Sequence, residues 1–406
     1  MGGIPEGYKE TKIGVIPEYW DVKSFKEVSK IVGGGTPDTE NMDFWNGNIR
    51  WCTPTDISKN SAKFIEKTEK TISELGLKNS SATILPPNTV LMCSRATIGE
   101  KSISKYEITT NQGFKSFICN NSLNFEYLYY LIDILKKEFI KRANGTTFIE
   151  ISKKDVEKIQ MPLPPAKEQQ KIAEILSTWD KSIEKLENLI SKKIETKKGL
   201  MQNLLTGNVR FSEFESEWKE VKLGDILKER NDVGYLDLEL LAITMKNGVI
   251  KRSELDLKDN SSENKSKYKR ILPGDIGYNT MRMWQGVSGL SNYEGIVSPA
   301  YTIVTPKKDV SGEYIAYLFK TSNMINLFHR YSQGLVNDTL NLKYKNFKII
   351  NAIIPKSIEE QEKIASVLST QDKEIELLKQ KLELVNTQKK GLMQNLLTGK
   401  IRVKTS

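Results

Sequence analysis

The sequence predicts a doubled mixed α/β (α+β) protein: two globular modules and two long helices that pair as an antiparallel coiled coil, related by a pseudo-two-fold repeat. Three observations predict it. The eleven residues KKGLMQNLLTG run from Lys197 to Gly207 and recur unchanged from Lys389 to Gly399. At the same offset of 192 (389 − 197), EQQKIAEILSTWDKSIEKL from Glu168 aligns with EQEKIASVLSTQDKEIELL from Glu360. Apolar residues recur at spacings of three and four through both copies, the period of a helix with one buried stripe.

The elements follow in chain order. The segments 17–28 (PEYWDVKSFKEV) and 215–226 (ESEWKEVKLGDI) each place a tryptophan before a short amphipathic strand. Residues 84–99 (ILPPNTVLMCSRATIG) parallel 271–286 (ILPGDIGYNTMRMWQG). Residues 124–139 and 311–326 both read as helices, and each is followed by a polar loop holding a glycine, Asn144-Gly145 and Gln333-Gly334. Strand-like exits into proline, IQMPLPP and NAIIP, close the modules. The predicted boundaries are 1–163 for the first module, 164–207 for the first long helix, 208–356 for the second module and 357–406 for the second helix with its tail.

In the first helix the apolar stripe comprises Ile172, Leu176, Trp179, Ile183, Leu186, Ile190, Leu200 and Leu204, interrupted by Lys193 and Lys197. In the second it comprises Ile364, Leu368, Ile375, Leu378, Leu382, Val385, Leu392 and Leu396, interrupted by Gln371 and Lys389. That is a coiled-coil seam with a polar middle. The expected packing residues are Ile172, Leu176, Trp179, Ile183 and Leu186 in the first helix and Ile364, Leu368, Ile375, Leu378 and Leu382 in the second. Pro164-Pro165 precede the first helix, and Ser357-Ile-Glu-Glu360 has capping-box spacing before the second. Gly207 and Gly399 suit a left-handed helix end. About forty helical residues span roughly 60 Å, and an amphipathic helix that long needs a partner for its seam.

Composition narrows the partners. The 406 residues carry 61 Lys+Arg against 51 Asp+Glu, a formal charge of +10 and a pI near 9.1, which favours polyanions such as nucleic acid. Cys52, Cys93 and Cys119 are sparse and lack CxxC spacing, which argues against a disulfide framework or a zinc site. The one histidine, His329, has no second ligand nearby in sequence. No apolar run approaches the twenty or so residues of a membrane span, and MGGIPEGYKE is not a signal peptide, so a soluble cytoplasmic protein is expected.

Catalytic signatures are missing from the sequence. It contains neither a G-x-x-x-x-G-K-[ST] phosphate loop nor a G-x-G-x-x-G fingerprint, and Gly33–Gly35 reads as a loop. Neither Pro-Pro pair sits in the tetrapeptide that adenine methyltransferases use. The triplets Asp21-Val22-Lys23 and Glu220-Val221-Lys222 could suggest a nuclease half-site, but their amphipathic strand setting favours a structural role.

A doubled module-plus-helix plan ending in KKGLMQNLLTGKIRV resembles the specificity subunits of type I restriction–modification systems. IGVIPEYW, GGGTPDTENMDFWNG and SPAYTIV share that resemblance, which covers essentially the whole chain. It implies two target recognition domains, each reading one half of a bipartite site in double-stranded DNA, held apart by the helices. It implies two docked methyltransferase subunits that modify adenine at N6 with S-adenosylmethionine, and motor–nuclease subunits that use ATP and Mg²⁺. This chain itself would bind no cofactor or metal and would not be an enzyme. Readers on one face of B-DNA sit roughly 34 Å apart per helical turn, a spacing that a stiff helix pair can hold.

Side-chain chemistry nominates the DNA contacts, with Arg suited to guanine, Asn and Gln to adenine, and Lys to phosphate. These are Arg50, Arg95, Asn111, Gln112 and Lys115 in the first module, and Arg282, Gln285, Ser298 and Tyr301 in the second. The basic run from Lys251 to Arg270 reads as a solvated loop. The competing readings are a stand-alone DNA nuclease and a protein-binding coiled-coil scaffold. Antiparallel closure further predicts that both chain termini lie near the start of the first helix.

Overall fold

The structure, a computed structural model, describes residues 4–145, 149–255 and 261–404. The middle of the Lys251–Arg270 run, residues 256–260, lies outside the described residues. The chain folds as two compact units, Met1–Leu186 with Lys381–Ser406, and Glu187–Gln380. The division falls inside both long helices rather than at their ends. The reason is that each module buries the start of one helix and the end of the other in its own core.

In the first unit a five-stranded sheet runs Ser29–Gly33, Phe114–Cys119, Val90–Cys93, Lys101–Ser104, Phe64–Ile65. Its pairs are antiparallel except the last. The helix Phe125–Lys141 covers it, started by Asn124, whose side chain accepts from the amides of Glu126 and Tyr127. Such a cap contributes about 1 kcal/mol. Phe25, Phe117 and Phe139 meet beneath, with the Phe25 ring 5.0 Å from Phe117 and 6.0 Å from Phe139. The second unit repeats the order with Leu227–Arg230, Tyr301–Pro306, Ile276–Asn279 and Ser288–Leu290. The tryptophan-led strands also match: Asp21–Ser24 pairs with Gln160–Leu163, and Trp218–Lys222 with Asn351–Pro355. Both acid-x-Lys triplets lie on these structural ladders. One expected element differs, since the 311–326 helix is two helices, Gly312–Leu318 and Ser322–Tyr331. The Thr321 hydroxyl restarts the chain by accepting from the Met324 amide.

The long helices are Ala166–Leu204 and Ile358–Leu397. Their apolar stripes divide by depth. Ile172 and Leu176 sit in the first module's core with Met393, Leu396 and Leu397, and Ile364 and Leu368 sit in the second's with Leu204 and Leu205. Ile375 is buried, whereas Trp179, Ile183, Leu186, Leu378 and Leu382 are half-buried. One partner helix covers only one stripe of another, so burial is most continuous where a module adds a second surface, while Ile190 and Ile375 are buried outside the two module cores.

Matched joints close both units. Trp20 Nε1 donates to Glu168 at 3.0 Å, and Trp218 Nε1 donates to Glu360 at 3.2 Å. Arg402 donates to Glu168 (2.8 Å), and Arg210 donates to both oxygens of Glu360 at 2.9 Å. Glu360 is therefore not the return arm of a capping box: Ser357 Oγ accepts its amide, but the carboxylate is held by Arg210 and Trp218. Gly207 and Gly399 take φ of +72° and +74°, and the amides of Val209 and Ile401 close the helix ends on Asn203 and Asn395. The Tyr8 hydroxyl donates to the Gly399 carbonyl at 3.0 Å, so the two ends of the described chain meet beside the start of the first long helix.

Candidate nucleic-acid interface

In the first module three turns converge on an open cleft of about 340 Å³. One is the start of the short helix Pro54–Lys59, where Thr53 and Asp56 form a capping box with proline first in the helix. The second is Arg95-Ala96-Thr97, and the third is Asn111-Gln112-Gly113. Ala96 has φ of +52°, a left-handed conformation that costs a residue with a Cβ about 1–2 kcal/mol. Strain of this kind gathers at functional turns. Arg95, Asn111 and Gln112 thus share one surface, with Gln112 exposed and accepting from the Thr36 hydroxyl. Asn111 Oδ1 accepts from the Gly113 amide and shapes the turn.

Arg50 and Lys115 are placed differently. Arg50 donates to the Glu66 carbonyl at 2.9 Å, and its guanidinium lies 4.8 Å from the Tyr106 ring centre. Lys115 is buried, donating to Ser94 and to Glu150 at 3.0 Å. Glu150 also accepts from Arg95 at 2.7 Å. Burial works against ionising Glu150, yet the hydrogen bonds from Lys115 and Arg95 outweigh it and hold its carboxyl below the usual range. Glu150 lies 35 residues from Lys115 and 55 from Arg95, so no sequence pattern marked it as the acid that aims them.

The second module gathers its four nominated residues on adjoining turns. Arg282 precedes and Gln285 ends the turn Met283–Gln285, closed by Gly286 at φ +82°. Tyr301 begins the neighbouring strand Tyr301–Pro306 and Ser298 lies in the turn before it, joined to the first turn by Thr280 donating to the Ala300 carbonyl at 2.7 Å. Gln285 is exposed, Ser298 Oγ accepts from the Ala300 amide, and the half-buried Tyr301 uses its carbonyl to hold Lys269. Arg282 lies 3.7 Å from Asp338, and Trp284 meets the His329 ring edge-on.

Lys320 fastens this turn from behind and was not legible in the sequence. Its ammonium donates to the carbonyls of Gly286 and Ser288, both at 2.7 Å. Burial, with repulsion from Lys197 added, brings its pKa down to about 8. An unfolded lysine titrates near 10.4, so between about pH 8 and 10.4 the unfolded chain binds more protons and folding stability rises with pH. Below pH 8 both states hold the proton and the burial cost is fully present. Denaturant titrations between pH 8 and 10 are expected to show Lys320→Met losing that upward slope; parallel curves for the two proteins would contradict it.

Among the described residues no helix is long and apolar enough to cross a membrane, and no cluster of three or more His, Cys, Asp or Glu is placed to hold a metal. Two α/β modules that share a four-strand order, each bearing a different loop cluster and each burying parts of both long helices, define a class of internally duplicated proteins. The sequence model of the type I restriction modification DNA specificity domain matches residues 17–196 and again 215–387. The chain belongs to that type I restriction–modification DNA specificity family. The MjaIX specificity subunit of Methanocaldococcus jannaschii is 38% identical over 240 residues, 54% of each chain, so here the chain spans about half the relative's length. The MjaVIII specificity subunit of the same organism is 26% identical over 431 residues, covering 98% of this chain and 97% of that one. The crystal structure of the type I S subunit from M. genitalium shares the fold, with a TM-score of 0.56 at 14% identity over 95% of this chain and 97% of its own.

Proposed function

We propose that this chain is the sequence-reading subunit of a type I restriction–modification enzyme, each module reading one half of a bipartite DNA site. The observation that carries the reading is duplication with selective divergence. The joints are the same in both units, Trp20–Glu168–Arg402 and Trp218–Glu360–Arg210, while the loop clusters differ. The two halves share the mounting and differ in the two surfaces, as two unlike half-sites require. The long helices set the spacer and carry two methyltransferase subunits, which supply adenine-N6 chemistry; motor–nuclease subunits join that complex, and no catalytic step belongs to this chain.

Mapping methylated adenines in cells that carry this chain and its cognate methyltransferase is expected to yield two short specific segments separated by a fixed unspecified spacer. A single continuous motif overturns the reading. In the same assay Arg95→Ala should relax the half-site read by the first module, and Arg282→Ala the other. A lost bidentate base contact is worth about 1–3 kcal/mol, or roughly 5- to 150-fold in discrimination.

A further inference from the structure

The lysines that break the apolar stripes each face a carboxylate on the other helix. In the second unit Lys197 Nζ lies 2.5 Å from Asp372, and Lys193 Nζ lies 2.7 Å from Glu374. In the first unit Lys389 pairs with Asp180. Asp180 and Asp372 are equivalent under the 192-residue offset, as are Lys389 and Lys197. The second oxygen of each aspartate accepts from a tyrosine on the module helix, Tyr130 onto Asp180 and Tyr317 onto Asp372, the latter at 2.8 Å. Each tyrosine ring also lies beside the lysine, 5.7 Å from Lys389 and 5.3 Å from Lys197. One aspartate in each unit therefore ties together both long helices and the module helix.

We propose that Asp180 and Asp372 are the positioning residues that set which spacer length the protein accepts, by holding the two helices in one register. The proposal rests on the bipartite reading above. An apolar seam alone tolerates slippage, because one apolar residue substitutes for another a turn away; a polar group within it specifies register at some cost in stability. Sliding by one turn moves a helix about 5.4 Å, between one and two base pairs at about 3.4 Å each. In that register the lysines, about one-fifth exposed, would lose the carboxylates that compensate them. The two units are not equally pinned. The equivalents of Lys193 and Glu374 in the first unit are Val385 and Ser182, which form no ion pair, so the burden there falls on Asp180.

The test uses the full chain assembled with its cognate methyltransferase and duplexes carrying both mapped half-sites, with spacers from two base pairs shorter to two longer than native. The readout is the initial methylation rate on each duplex. Asp180→Asn is expected to reduce the preference for the native spacer about tenfold, the middle of the coupling range for a connected polar network. Asp372→Asn should do less while Lys193–Glu374 remains, and Asp372→Asn with Glu374→Gln should match the Asp180 variant. Lys389→Met keeps the seam apolar and folded, and should broaden the profile even if it melts no lower than the parent. A sharp parental profile unchanged in every variant overturns the proposal alone. A parent indifferent to spacer length overturns the bipartite reading and the proposal with it.

Discussion

Glu168→Ala is expected to destabilise the first unit by about 3 kcal/mol, among the largest losses available to any one polar side chain here. The carboxylate is 2% exposed and holds two donors from distant parts of the chain, Trp20 and Arg402. Trp20 is fully buried, so its indole N–H would have no water to turn to. An orphaned buried donor costs about 1–3 kcal/mol, more than the bond contributed when made. Arg402 is 40% exposed and can be rehydrated, which keeps the total below the upper end for a broken buried ion pair. Glu168→Gln should cost less, because an amide oxygen still accepts from Trp20. Glu360→Ala should fall between them, since Trp218 is only half-buried and reaches solvent. Denaturant unfolding followed by tryptophan fluorescence measures the series; a Glu168→Ala loss below 1 kcal/mol contradicts the assignment of this joint.

Gly399→Ala is expected to cost roughly 2–4 kcal/mol, and Gly207→Ala only about 1 kcal/mol, although the eleven residues ending at each glycine are identical. Both sit at left-handed φ, so both substitutions pay the same backbone strain. Their surroundings differ. A Cβ on Gly399 would lie 2.3 Å from Cδ of Pro17, a ring atom that cannot swing aside, and 3.2 Å from Trp20. A Cβ on Gly207 would meet the Trp218 ring at 3.5 Å, an ordinary contact. Equal losses in the two variants, measured by denaturant unfolding of the full chain, would mean that backbone conformation alone decides both positions.

The architecture was readable because repeats and helix periodicity are local signals. The offset of 192 located both long helices, and Gly207 and Gly399 do end them in the left-handed region. The paired segments 124–139 and 311–326 also read as helices, but the break at Thr321 was not visible. A capping threonine inside such a segment competes with helix continuation, and tertiary contacts decide between them. The candidate interface was legible only in part. Arg95, Asn111 and Gln112 come together because they occupy turns at the same end of neighbouring strands. Lys115 looked like a phosphate ligand by residue type, yet its position facing inward from a buried strand gives it to Ser94 and Glu150.

The seam lysines show the same boundary most clearly. Sequence by itself determined that the chain is doubled, that each half ends in a long amphipathic helix, and that polar residues interrupt the stripe. These follow from spacing along one strand of text. Only the tertiary structure decided that the lysine interruptions are ion pairs, because Lys389 meets Asp180 across 209 residues and Lys197 meets Asp372 across 175. It also decided that KKGLMQNLLTG is a joint: its lysine grips an aspartate of the facing helix, and its glycine turns the chain onto a tryptophan. The identical segments make the same contacts twice, and the difference between the copies lies in what each glycine touches.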